Sequence, residues 1–219
     1  IAALIKQAGD RQAPSRSLAL NSDGRCLIYA DAGRPNGGSS AALELGSRLN
    51  GSLGVTVMIA NADDSLEATT DCGLVTTGSI QSASGHFTHF DLIINKFAES
   101  APHSRNQLVF GPTMDGVETS CDILIDLTGD TPLFTGWEKR DGYLRAQADD
   151  SVAMAKIERE AVQLIGEFEK PIYVNFDESI CAHSRNKIGG CSRCLDVCPA
   201  GAITSLGDHV NIDPAICGG

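Results

Sequence analysis

The sequence predicts an α/β domain with a mixed sheet, followed by a small cysteine-rich α+β module. Three observations predict it: strand–helix–strand alternation over residues 24–60, a β-rich stretch over 74–97, and a cysteine cluster near the end. Five of the eight cysteines, Cys181, Cys191, Cys194, Cys198 and Cys217, fall in the final 39 of 219 residues.

The elements follow in order. Residues 1–20 read as an N-terminal extension with little pattern. From Gly24 the apolar run Cys26–Ala30 makes a first strand, and the loop from Asp31 to Gly38 leads into a helix over about 40–50. Ala42, Leu45 and Leu49 form its apolar stripe, and Asn50-Gly51 supplies the stop. Val55–Ala60 is a second buried strand, so the unit is a βαβ crossover with parallel strands. Leu74–Ile80 and Phe87–Phe97 then read as an antiparallel hairpin turning at Ser82–Gly85. Short apolar runs follow at Leu108–Phe110 and Ile123–Leu127. A helix over about 150–169 comes next, with Ile157, Ala161, Leu164, Ile165 and Phe168 on one face and Pro171 as its limit. The resulting domains are the extension 1–20, the α/β domain 21–148, a connecting helix 149–170, and the cysteine module 171–219.

Composition narrows the function classes. With 42% hydrophobic and 21% charged residues the chain is an ordinary globular sequence. It holds no apolar run long enough to span a membrane. Lys6 and Asp10 interrupt the first residues, so a secretory signal is not expected. The formal net charge of −11, without a Lys/Arg-rich block, repels a phosphate backbone and makes nucleic acid a poor partner. It suits docking to basic protein surfaces. Cysteines clustered at short spacing read as metal or cluster ligands in a reducing, cytoplasmic compartment.

The spacing is specific. Cys181-x9-Cys191-x2-Cys194-x3-Cys198-Pro199 ends on the C-x2-C-x3-C-P pattern of [4Fe–4S] sites. Thiolates suit the soft, sulfur-rich iron of such clusters. Val174–Cys181 also repeats as Val210–Cys217 at an offset of 36 residues, with Val, Asn, Asp, Ile and Cys identical in register. Structural zinc is the competing assignment, but it explains neither the Cys-Pro pair nor the repeat.

On these residues, 171–219 resembles the first half, and the opening of the second half, of a bacterial two-[4Fe–4S] ferredoxin. The resemblance implies two clusters in a full-length protein. Cys181, Cys191 and Cys194 would hold three corners of the first, with Cys198 and Cys217 belonging to the second, because the fourth cysteine of each run crosses over. It also implies that the chain is a fragment of a longer protein, holding about one labile cluster at most. The chain departs from the family in having nine residues, not two, between Cys181 and Cys191. That insertion reads as a loop over the first cluster, with His183 a loop residue and not a ligand. Arg185, Lys187 and Arg193 are either plain loop charges or charges favouring a reduced cluster.

The α/β domain carries weaker signals. Gly33, Gly37 and Gly38 lie between a strand and a helix, where backbone amides can bind phosphate. The loop lacks the G-x-G-x-x-G pattern, and Pro35 removes a donor. Asp63 or Asp64 stands where a ribose-binding acid would follow the second strand. The domain resembles a degenerate dinucleotide-binding half, as in multidomain iron–sulfur proteins related to heterodisulfide reductases or associated with formate dehydrogenases. Cys26, Cys72 and Cys121 read as buried thiols. His86 and His89 read as strand residues on opposite faces, a poor metal pair. Asp126–Asp130 is either a pocket lining or a turn. No catalytic constellation emerges.

The expected function is one-electron relay between redox partner proteins, with no substrate chemistry of its own. The alternatives are a component of a flavin- or NAD-dependent oxidoreductase with its nucleotide site in the α/β domain, and a structural-zinc, scaffold or maturation protein.

Overall fold

The computed structural model describes residues 16–34, 38–62, 66–67, 71–101, 107–135, 140–187 and 189–218. It forms two units, Asn21–Glu167 and Ile1–Leu20 with Phe168–Gly219.

The larger unit is built on the predicted crossover. Strand β2 (Arg25–Asp31) leads to helix α1 (Ser39–Leu49) and strand β3 (Gly54–Ala60), and the two strands pair in parallel. Ala42, Leu45 and Leu49 are buried as the stripe requires, and α1 packs on β2 and β3. Strands β4 (Leu74–His86) and β5 (His89–Glu99) form the antiparallel hairpin, β6 (Val117–Cys121) extends it, and β7 (Ile123–Asp126) and β8 (Tyr143–Arg145) add in parallel beyond β2. The seven-stranded order is β6-β5-β4-β3-β2-β7-β8. One face is covered by α1. The other packs Leu27, Tyr29, Met58, Phe90, Leu92 and Leu124, with the Phe134 ring 5.5 Å from Phe90 and 5.0 Å from Tyr143.

The hairpin turns later than expected. Ser82–Gly85 lies within β4, paired with residues of β5, and the turn is Phe87–Thr88. Gly85 permits the tight pairing: its φ is +91°, and a Cβ there would stand 2.1 Å from the His89 carbonyl oxygen. The small, polar Ser82–Gly85 run resembles a loop in composition, while the long cross-strand register makes it strand. His86 and His89 consequently form the last cross-strand pair of the hairpin, with ring centroids 6.4 Å apart, and do not point to opposite faces.

The connecting helix is also shorter than expected. Helix α2 (Ser151–Ala161) starts where Asp150 caps it, the carboxylate accepting from Val152 N at 3.1 Å and Ala153 N at 2.9 Å. It ends at Ala161, and the chain then forms strand β9 (Gly166–Pro171) in place of further helix. Gly166 has φ +112°, outside the helical region, and beyond it Phe168 alternates with exposed Glu167 and Glu169 in the period of a strand. The partner of β9 is β1 (Ser17–Ser22), so the end of the N-terminal extension is a paired strand.

The smaller unit holds two short helices, α3 (Ala182–Asn186) and α4 (Arg193–Val197), and an antiparallel hairpin of β10 (Ile203–Ser205) and β11 (Val210–Ile212). Among the described residues no helix is long and apolar enough to cross a membrane.

Candidate functional site

The five cysteines singled out by spacing all belong to the smaller unit. All five are free thiols; Cys191 is exposed, and Cys181, Cys194, Cys198 and Cys217 are half-buried. Cys26, Cys72 and Cys121 form no disulfide either, and are buried in the α/β unit. Burial pushes all three of those thiols up, Cys121 to about 12, which keeps them protonated and inert.

Short local structures present the exposed set. Cys181 caps α3, and the Arg185 N–H donates to its carbonyl at 2.9 Å. Its thiol is held below the ordinary cysteine range, chiefly because the Ser184 backbone N–H and then the Ser184 hydroxyl donate to the sulfur. Cys194 lies in α4, whose C-terminal end is Cys198 in extended conformation. An extended backbone is what the following Pro199 requires. Arg185, Lys187 and Arg193 are exposed.

The sequence repeat is also a repeat of structure. The Asp177 carboxylate accepts from Ser179 N at 2.9 Å, and the Asp213 carboxylate accepts from Ala215 N at 2.8 Å. Each is an aspartate-capped turn followed four residues after the aspartate by a cysteine. Cys217 N donates to Asp213 O at 3.0 Å, and Cys181 N donates to Glu178 O at 3.3 Å. In the second copy Val210 opens β11, whereas Val174 in the first lies outside any strand and is exposed.

The chemistry of these donors fits an iron–sulfur cluster: unpaired thiols outside the core, on short turns, one of them already depressed. Among the described residues no group of three or more His, Cys, Asp or Glu side chains is placed to hold a metal ion. Thiolates that hold a cubane stand at the corners of a cage and do not converge on one ion.

His183, expected to be a loop residue, is 3% exposed within α3. Its Nδ1 stands 3.2 Å from the Cys191 carbonyl oxygen and its Nε2 3.0 Å from that of Gly207. The insertion that separates Cys181 from Cys191 is therefore partly helical and anchored. A single polar residue in a polar stretch gave no periodicity from which to find this.

In the α/β unit the parallel strands run β4-β3-β2-β7-β8, which in chain order is third, second, first, fourth, fifth. The order reverses between β2 and β7, and ligands of open α/β sheets bind outside the carboxyl ends of such strands. Arg34 bridges the two loops there, its Nη2 2.6 Å from Asp130 Oδ2 and its Nε 3.4 Å from Asp31 Oδ2. Asp31 also accepts from Asn61 Nδ2 and Gly33 N. Asp126 is wholly buried, accepting from Tyr143 and from Thr128, so Asp126–Asp130 is an internally bonded turn. Gly38 begins α1 at φ +74°, and a Cβ there would meet Ala148 Cβ at 2.9 Å and Leu127 O at 3.0 Å. Its bareness thus serves close packing within the chain. Gly37, Asp63 and Asp64 lie outside the described residues.

Comparison of the chain with protein-family models, with curated proteins and with solved structures finds no match.

Proposed function

We propose that the chain carries an iron–sulfur electron-transfer module, attached to an α/β unit, that relays single electrons between redox partner proteins. The observation that carries this is the ligand run Cys181-x9-Cys191-x2-Cys194-x3-Cys198-Pro199, with its repeat ending on Cys217. The repeated aspartate-capped turns before Cys181 and Cys217 support it. Cys181, Cys191 and Cys194 would hold one [4Fe–4S] cluster, and Cys198 and Cys217 would contribute to a second. When bound, such a cluster supplies a one-electron store.

The chain's own residues do the rest. Ser184 donates to the Cys181 sulfur, which favours the thiolate needed for ligation. Arg185, Lys187 and Arg193 place positive charge beside the ligand run, where added negative charge on reduction is favoured. The test is anaerobic loading with ferrous iron and sulfide, read by visible absorbance, low-temperature EPR and assays of both elements. Broad absorbance with an EPR signal on reduction supports the proposal. A colorless protein that takes up only zinc refutes it.

A second reading rests on the strand reversal between β2 and β7: a nucleotide site in the α/β unit of an oxidoreductase component. Saturable binding of NAD or a flavin nucleotide to the chain supports it, and no binding removes it.

A further inference from the structure

The geometry points to His183 as a positioning residue for the cluster thiolates, one that fixes Cys191 through its backbone carbonyl. This rests on the iron–sulfur reading above. The problem that the residue solves is set by spacing. Nine residues separate Cys181 from Cys191, and a free segment of that length costs more closure entropy than a two-residue one. Two thiolates meant for one cluster need that segment shaped in advance.

The inserted segment is tied down from two adjacent positions of α3. The His183 ring is buried between two carbonyl groups, Cys191 O at 3.2 Å from Nδ1 and Gly207 O at 3.0 Å from Nε2, with Ser205 Oγ 3.4 Å from Nε2. Carbonyl oxygens only accept and a neutral imidazole carries one N–H: with that hydrogen on Nδ1 the ring donates to Cys191 O, and Nε2 accepts from the Ser205 hydroxyl. Gly207 lies in the β10–β11 turn, at φ +93°. Beside it, Ser184 Oγ accepts from Val210 N at 3.0 Å, at the start of β11. The short helix is therefore joined to the hairpin through Ser184 and through Ser205 Oγ at Nε2, and to the second ligand through Nδ1. Fixing the Cys191 carbonyl fixes the plane of the peptide that follows it, in which Cys191 Cα lies, so that only ψ remains between the held carbonyl and the direction of the side chain.

The two ring nitrogens separate holding the fold from placing the ligand. His183→Asn puts an amide where Nδ1 stands and keeps the reach to Cys191. His183→Gln puts an amide where Nε2 stands and keeps only the reach to Gly207. The experiment loads the full chain anaerobically with ferrous iron and sulfide, then measures iron release to a chelator and the EPR line shape after reduction. His183→Ala is expected to release iron about 10- to 100-fold faster than the wild type, the usual cost of losing a residue that orients a ligand. Its EPR signal should change shape. His183→Asn should restore both readouts, and His183→Gln should restore neither.

Wild-type behavior of His183→Ala in both measurements would overturn the assignment. So would equal rescue by Asn and Gln, or failure of both, since either makes the ring a general support of the fold. A wild-type chain that takes up no iron and sulfide fails the cluster reading itself, and the positioning role falls with it. That result is seen before any variant is compared.

Discussion

Tyr143 donates its phenol hydrogen to Asp126 Oδ2 at 2.6 Å, joining the edge strand β8 to β7 beneath the surface of the sheet. The same carboxylate accepts from Thr128 N at 3.0 Å and Thr128 Oγ at 2.7 Å, and pairs with Arg145 Nε at 3.3 Å. Every donor around Asp126 therefore depends on one buried acceptor. Asp126→Ala should lower unfolding free energy by about 3 kcal/mol, because it strands the buried Tyr143 hydroxyl and the Thr128 N–H and hydroxyl. Tyr143→Phe should cost about 1–2 kcal/mol. Urea unfolding of the two single variants and the double variant checks this, with a non-additive double variant expected for groups in direct contact.

Alkaline pH should weaken the α/β unit through its buried thiols. Burial pushes Cys121 up to about 12, with the Asp122 carboxylate acting in the same direction. An unfolded chain ionises its cysteines near about 8.5. Below that pH both states keep the proton and the contribution is intact. As pH rises toward 12 the unfolded chain releases it first, so stability is lost progressively. Urea midpoints at about pH 8 and about pH 10 should differ less in Cys121→Ala than in the wild type.

Serine substitution should separate the two sets of cysteines. Cys181→Ser, Cys191→Ser or Cys194→Ser should each lower iron bound after loading, since a hydroxyl is a poor match for this iron. Cys26→Ser and Cys72→Ser should leave it unchanged. Iron and sulfide assays on purified variants give the answer, and undiminished iron in all three of the first group would defeat the ligand assignment.

Residues 21–167 should fold with no metal present. The core residues Ile28, Leu45, Val57, Phe90 and Ile125 all lie within that unit, and none of the five proposed ligands does. Cooperative urea unfolding of the isolated segment, unchanged by chelator, is the expected result. A molten product that binds a hydrophobic dye would show that the two units share a core.

The parts legible in the sequence were those in which burial alone sets the pattern. Cys26–Ala30 and Val57–Ala60 are continuous apolar runs because parallel strands are buried on both faces, and Ala42, Leu45 and Leu49 mark a helix because one face is covered. The end of the second helix was misread for the opposite reason. Leu164, Ile165 and Phe168 fall on a helical stripe, yet the helix ends at Ala161, and beyond the positive φ of Gly166 Phe168 between Glu167 and Glu169 follows the period of a half-covered strand. Strand β8 is three residues long and was hidden in a loop. At the candidate site, the cysteine types and spacing were plain, because covalent ligation demands them. The role of His183 was not, since its partners are backbone carbonyls, and a carbonyl is supplied by any residue.

The pairing of β1 with β9 has a consequence for how the gene product can be cut and rejoined. Neighboring strands lie about 4.8 Å apart, so the stretch between them leaves and re-enters at nearly one place. The α/β unit is thus a cassette with adjacent ends. It can be excised and closed by a short bridge, or seated in a surface loop of an unrelated host, with little chain needed to span the gap. What remains is a sequence in which residues far apart in number become near neighbors along the chain.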